Sequence, residues 1–214
     1  MPNWCNNTVE IAHKDPAKLK EVIDALNRGE FCHYAIPTPE DLKIVAGRVG
    51  DDTDPDQIEL ERKTAENIEK YGYGNWYDFQ VAMWGTKWDV GGDGALDPAE
   101  IEPGQTEATV CFDSAWSPPI GAYEALVEKG FSIRAYYYEP GMAFAGVWDN
   151  GSDDFYEIGG MSSDDVADGI PSDLDECFGI SECIREYEEE NEEEPDEDVY
   201  NFVVEGAKAK GLVE

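Results

Sequence analysis

The chain has 214 residues, of which 41% are hydrophobic, and carries 8 Phe, 6 Trp and 11 Tyr. That is enough apolar material for a packed core, which excludes wholesale disorder. Its 49 acidic residues against 15 basic ones give a net charge of −34, a field that repels phosphate backbones and anionic membranes and attracts basic partners. Direct nucleic-acid binding and membrane association are therefore not expected.

In chain order, Cys5 to Ala12 reads as a strand. Asp15-Pro16 then supplies a cap and a first-turn proline for a helix with Leu19, Val22, Ile23 and Leu26 at helical spacing, ended by Arg28-Gly29. Residues from about 29 to 74 read as an insert, loop-like around its prolines and then helical from Asp56 to Lys70. Asn75 opens an aromatic helix, Trp76 to Trp84, closed by Gly85. Thr86 to Val90 is expected as a strand. Glu107 to Ser114 is another, with Ala108, Val110 and Phe112 alternating with polar neighbours.

Pro118-Pro119 starts a helix carrying Tyr123, Leu126 and Val127, and Gly130 stops it. Phe131 to Tyr138 is a strand, and Ala143 to Trp148 with Phe155 to Ile158 forms a hairpin through Asp149-Asn150-Gly151. The order β-α-insert-β-β-α-β-β-β predicts an α+β fold. It is a ferredoxin-like split βαβ sheet over residues 1–160, with helices on one face and an added hairpin.

Residues 161–214 differ in kind and read as an acidic helical extension. They hold 19 acidic residues against Arg185, Lys208 and Lys210, a net of −16, which leaves −18 on the first 160 residues. The folded body is thus itself a polyanion. Two short helices are expected in the extension, one over Leu174 to Tyr187 and one over Val199 to Val203. Between them lies a run in which 10 of 13 residues are acidic: Glu186, Glu188, Glu189, Glu190, Glu192, Glu193, Glu194, Asp196, Glu197 and Asp198. Like charges at i,i+4 and Pro195 disfavour helix there, so the run is expected to stay solvated as a partner-binding acidic surface.

Chemistry-bearing patterns are sparse. Asp89 to Glu100 can be counted as a twelve-residue calcium loop, with Asp89, Asp93 and Asp97 at positions 1, 5 and 9 and Glu100 at position 12. Gly91 at position 3, strand-like flanks and Pro98 oppose it, so a plain acidic loop is the expectation and no cofactor is assigned. Cys32-His33 are adjacent and Cys177 and Cys183 have no chelating spacing, which gives no zinc pattern. Five scattered cysteines read as reduced thiols rather than disulfides, and the opening residues lack the features of a secretory signal, so a cytoplasmic location is expected. With His13 and His33 the only histidines and no nucleophile motif, no enzymatic activity is expected.

The aromatic stretches offer a polar-aromatic patch: Asn75, Trp76, Trp84, Lys87, Trp88 and Trp116, with Trp4 beside Asn3 and Asn6. So many indoles in one small domain are expected to be mostly core.

Three stretches carry a resemblance. Pro2-Asn3-Trp4-Cys5-Asn6-Asn7-Thr8 opens the chain. Asn75-Trp76-Tyr77-Asp78 is followed by Trp84-Gly85-Thr86-Lys87-Trp88-Asp89, and Phe112-Asp113-Ser114-Ala115-Trp116-Ser117-Pro118-Pro119 completes the set. Together they resemble the YubB / Api92-like family of phages and plasmids. The resemblance covers roughly residues 1–160. It implies a ferredoxin-like domain and a mobile-element origin, and it assigns no activity or functional residues. Charge and resemblance together point to a non-enzymatic acidic binding protein. Its partner would be a basic surface, such as that of a host nucleic-acid-binding or defence protein, which the chain would inhibit as a nucleic-acid mimic. A structural or accessory domain with acidity for solubility, or a Ca²⁺-binding protein using Asp89 to Glu100, are the alternatives.

Overall fold

The computed structural model describes residues 3–92 and 99–191. They fall into two compact units that meet in sequence at Gly159 and Gly160.

The first unit is an α+β fold. Strand β1 (Trp4–Ala12) leads to helix α1 (Pro16–Asn27). The Asp15 carboxylate accepts the Ala17 N–H at 3.0 Å, and Leu19, Val22, Ile23 and Leu26 are buried. The short α2 (Phe31–Ala35), a 3-10 turn (Glu40–Leu42), α3 (Pro55–Tyr71) and α4 (Trp76–Trp84) follow. Each end of α4 is set locally. Asn75 Oδ1 accepts the Tyr77 and Asp78 N–H groups at 2.9 and 3.2 Å, and Gly85 adopts φ +86° just past the last turn. Then come β2 (Glu107–Ala115), α5 (Ile120–Glu128), β3 (Ser132–Glu139), β4 (Phe144–Asp149) and β5 (Ser152–Glu157). Asn150 at φ +46° and Gly151 at φ +105° form the two-residue turn that joins the last pair.

The sheet order is β2-β1-β3-β4-β5, antiparallel throughout. With β1 between β2 and β3, this is the arrangement a split βαβ gives its first, third and fourth strands, and the β4–β5 hairpin extends it. Side chains of one sheet face, including Val9, Ile11, Phe112, Ile133, Ala135 and Trp148, form one cluster with Leu19, Leu26, Phe31, Trp84, Tyr123 and Leu126 from α1, α2, α4 and α5. Within this unit the helices thus cover one face.

Two sequence expectations fail here. Thr86 to Val90 is not a strand but irregular backbone. Its polar groups are spent elsewhere: the Val90 N–H donates to its own neighbour's carboxylate, Asp89 Oδ1, at 2.9 Å, and Thr86 Oγ1 donates to the Ala115 carbonyl at 3.0 Å. A ladder at Val90 would need that N–H free. Conversely, the stretch expected as loop after Gly29 contains α2.

In the second unit, α6 (Ser163–Gly169), α7 (Ser172–Phe178) and α8 (Ile180–Asn191) follow one another, with Val166, Leu174 and Ile180 buried. The helix expected over Leu174 to Tyr187 is divided between α7 and α8, and Glu188, Glu189 and Glu190 are helical with Glu186, against the expectation for the acidic run. Two contacts offset their repulsion. The Glu188 carboxylate accepts both the N–H (3.1 Å) and Oγ (2.6 Å) of Ser163, and Asp175 accepts the Ser181 N–H and Oγ at 2.8 and 2.6 Å where α8 begins. Glu192, Glu193, Glu194, Asp196, Glu197 and Asp198, and the second helix expected over Val199 to Val203, lie outside the described residues. Among those described, no helix is long and apolar enough to cross a membrane.

Candidate functional site

The three stretches that carry the family resemblance converge at one end of the sheet, where β1 starts and β2 finishes. Trp4 pairs with Ala115, and the Trp116 N–H donates to the Asn3 carbonyl at 2.9 Å. Beneath them, Asn7 is buried with all its polar atoms engaged. Its Nδ2 donates to the Cys5 carbonyl and Ser114 Oγ, both at 2.8 Å, and its Oδ1 accepts the Tyr123 hydroxyl at 3.1 Å. Ser114 Oγ donates to the Ser117 carbonyl at 2.8 Å, and Ser117 Oγ donates to the Gly85 carbonyl. The chain of bonds ties α4's end to β2 and β1. Gly121 lets α5 approach that end: a Cβ there would lie 2.1 Å from the Met83 carbonyl oxygen.

This scaffold holds a surface group of aromatics. Trp4 is 45% exposed, Trp88 37% and Trp116 41%. The Lys87 ammonium sits 4.5 Å from the Trp88 ring centre, 5.0 Å from Trp116 and 5.7 Å from Tyr77, and the Trp4 and Trp88 rings lie 6.1 Å apart. Trp116 takes φ +71°, a left-handed conformation costly for a side chain of this size.

The expectation of mostly core indoles is overturned. Of the tryptophans in the aromatic stretches only Trp84 is buried, its Nε1 donating to the Ile36 carbonyl at 2.8 Å. Trp84 thus leaves the expected patch for the core. Asn75 leaves it too, as the cap of α4. Trp76 is half-buried edge-on to Tyr77. Trp4, which stood at the margin of the sequence pattern, joins the cluster. Its place at the first β1 position was the available signal, since alternation from core-facing Cys5 turns Trp4 to the opposite face.

Beside the cluster lies a notch of about 150 Å³ lined by Trp4, Asp89, Val90, Gly91 and Asp113. Asp113 Oδ1 accepts Asn6 Nδ2 at 2.7 Å. Asp89 is engaged by backbone amides. Its oxygens accept the N–H groups of Cys32 (2.7 Å), His33 (2.9 Å) and Val90, capping α2. Burial nevertheless pushes the Asp89 carboxyl above its usual range, outweighing those three donors. Asp93 and Asp97 lie outside the described residues, and Glu100 is exposed. Among the described residues, no three His, Cys, Asp or Glu side chains cluster to hold a metal.

The nucleophile candidates are equally constrained. Burial pushes the Cys5 thiol up to about 12, and Cys32 is raised well above its ordinary value by burial and by Asp89. His13 Nδ1 accepts the Asp15 N–H at 3.0 Å and His33 Nδ1 accepts that of Thr38 at 3.2 Å, so each ring braces local backbone.

Fold and site define an α+β protein with a five-stranded antiparallel sheet and an exposed tryptophan cluster at one sheet end. No family model matches the chain, and no curated protein matches it. Among solved structures, it is similar to the crystal structure of protein api92 from Yersinia pseudotuberculosis. The identity is 14% and the TM-score 0.37, over 74% of this chain and 99% of that one.

Proposed function

We propose that this is a non-catalytic binding protein that docks a basic protein surface through the tryptophan end of its sheet. The observation that carries the reading is the grouping of exposed Trp4, Trp88 and Trp116 around Lys87. Rigid indoles supply large contact area at low entropic cost, and tryptophan is enriched among residues that dominate interface energies. The net charge of −34 selects the sign of the partner. Charge pairing supports this further. Lys18, Lys20, Arg28, Lys43, Arg48, Arg62, Lys63, Lys70 and Arg185 are each engaged by the chain's own carboxylates, so the unpaired surplus is acidic.

In its finer form, the basic surface is the nucleic-acid site of a host protein. The chain then acts as a phage or mobile-element inhibitor that competes with DNA or RNA, a reading supported by charge and by the YubB / Api92-like motifs. The test is displacement of labelled DNA from purified host DNA-binding proteins, read by anisotropy at low and high salt. Displacement that weakens steeply with salt and drops in the W88A/W116A double variant is expected. Salt-independent displacement, or none across the panel, rejects the mimic.

A further inference from the structure

Resting on that docking reading, we infer that the notch between Trp4 and Asp113 seats the guanidinium of an arginine side chain from the partner. At about 150 Å³ it is far smaller than small-molecule sites of roughly 300–1,000 Å³, so its occupant is the size of a side-chain end.

Its walls select the chemistry. Trp4 presents an exposed indole backed by Trp88 at 6.1 Å, a surface on which a flat cation stacks. Asp113, on the same sheet face by register, shares the lining, and its Oδ1 is held by Asn6 at 2.7 Å. That bond fixes the carboxylate plane, and no other donor among the described residues takes Oδ2. Asp89 adds its oxygens to the lining, but the amides of Cys32, His33 and Val90 already occupy them. A phosphate is repelled by this pair of aspartates, and an apolar side chain leaves Asp113 desolvated without a donor.

Lys87 distinguishes arginine from lysine. Its ammonium already occupies the cation seat between Trp88, Trp116 and Tyr77. The neighbouring notch offers instead a ring face and a carboxylate edge at once, which a planar fork satisfies and a compact ammonium does not.

The experiment follows the Trp4 indole N–H resonance of the full chain during titration with N-acetyl-arginine amide, its neutral citrulline counterpart and N-acetyl-lysine amide. A saturable shift with the arginine amide, a weaker one with lysine and none with citrulline is expected. D113N should weaken the arginine response about tenfold, the loss of one charge-assisted hydrogen bond. Its circular dichroism and unfolding midpoint should stay those of the parent. W4L should abolish saturation as read from Trp88, and it serves as the test if D113N folds poorly. An equal response to citrulline, an unchanged D113N, or a response to a nucleoside monophosphate in place of arginine overturns the inference. If arginine amide fails while the chain still displaces DNA from its partners, the notch assignment falls and the docking reading stands. Arginine binding with no displacement leaves the notch assignment standing and rejects the mimic.

Discussion

The carboxylate of Asp89 accepts the backbone N–H of Cys32 at 2.7 Å across 57 residues of chain, and so caps a helix that has no cap of its own. Glu30, at the N-cap position of α2, makes no side-chain bond there. The same contact anchors one wall of the notch.

Removing that cap should be costly. Asp89→Ala leaves the Cys32 and His33 amides without acceptors, and a loss of about 1–3 kcal/mol in urea unfolding is expected.

Asp89→Asn tests its charge. Because burial raises the folded carboxyl, its stabilising contribution is complete below the unfolded value of 3.8 and is lost as pH rises through the folded one. The stability of the parent relative to Asp89→Asn should therefore fall as pH rises across that acid window. A difference that grows with pH would show the amide donors to outweigh burial.

Asn7→Leu should destabilise by about 2–4 kcal/mol in urea unfolding, because it strands the Tyr123 hydroxyl and breaks the bond to Ser114. The indole end should loosen with it, visible as a red shift of tryptophan emission before global unfolding.

Two glycines in left-handed conformations should respond differently to alanine. At Gly91, φ +94°, a Cβ would lie 2.0 Å from the Leu26 carbonyl oxygen, whereas at Gly72, φ +80°, nothing lies within 4 Å. Gly72→Ala should cost about 1 kcal/mol for conformation alone. Gly91→Ala should cost roughly 3 kcal/mol or more, since backbone must move. Thermal midpoints of the two variants make the comparison.

Trp116 separates function from stability. Its φ of +71° carries a strain of about 1–2 kcal/mol, which glycine relieves at a backbone-entropy cost of about 0.5–1 kcal/mol. Trp116→Gly should keep the unfolding midpoint near the parent's while DNA displacement weakens. A large loss of stability with undiminished displacement would assign Trp116 to packing instead.

What the sequence determined by itself were features whose cause is local. Asp15-Pro16 and Asn75 start helices because their side chains reach amides two or three residues on, and Gly85 and Asn150-Gly151 turn the chain because of their own dihedral preferences. Alternation in Glu107 to Ser114 and the helical stripe of Leu19, Val22, Ile23 and Leu26 put the right residues in the core. The residues of the tryptophan end were likewise visible as motifs.

Their roles were decided by the tertiary structure. Thr86 to Val90 has a strand's composition, yet Thr86 and Asp89 draw it into side-chain bonds with β2 and α2. Helix α2 takes its cap from that distant carboxylate. Trp84 and Trp88, four residues apart, end on opposite sides of the burial divide because Gly85 turns the chain between them. Local chemistry fixes where elements begin and end. Which indoles meet solvent depends on sheet register and on contacts between residues far apart in the chain, and these form only when the chain folds.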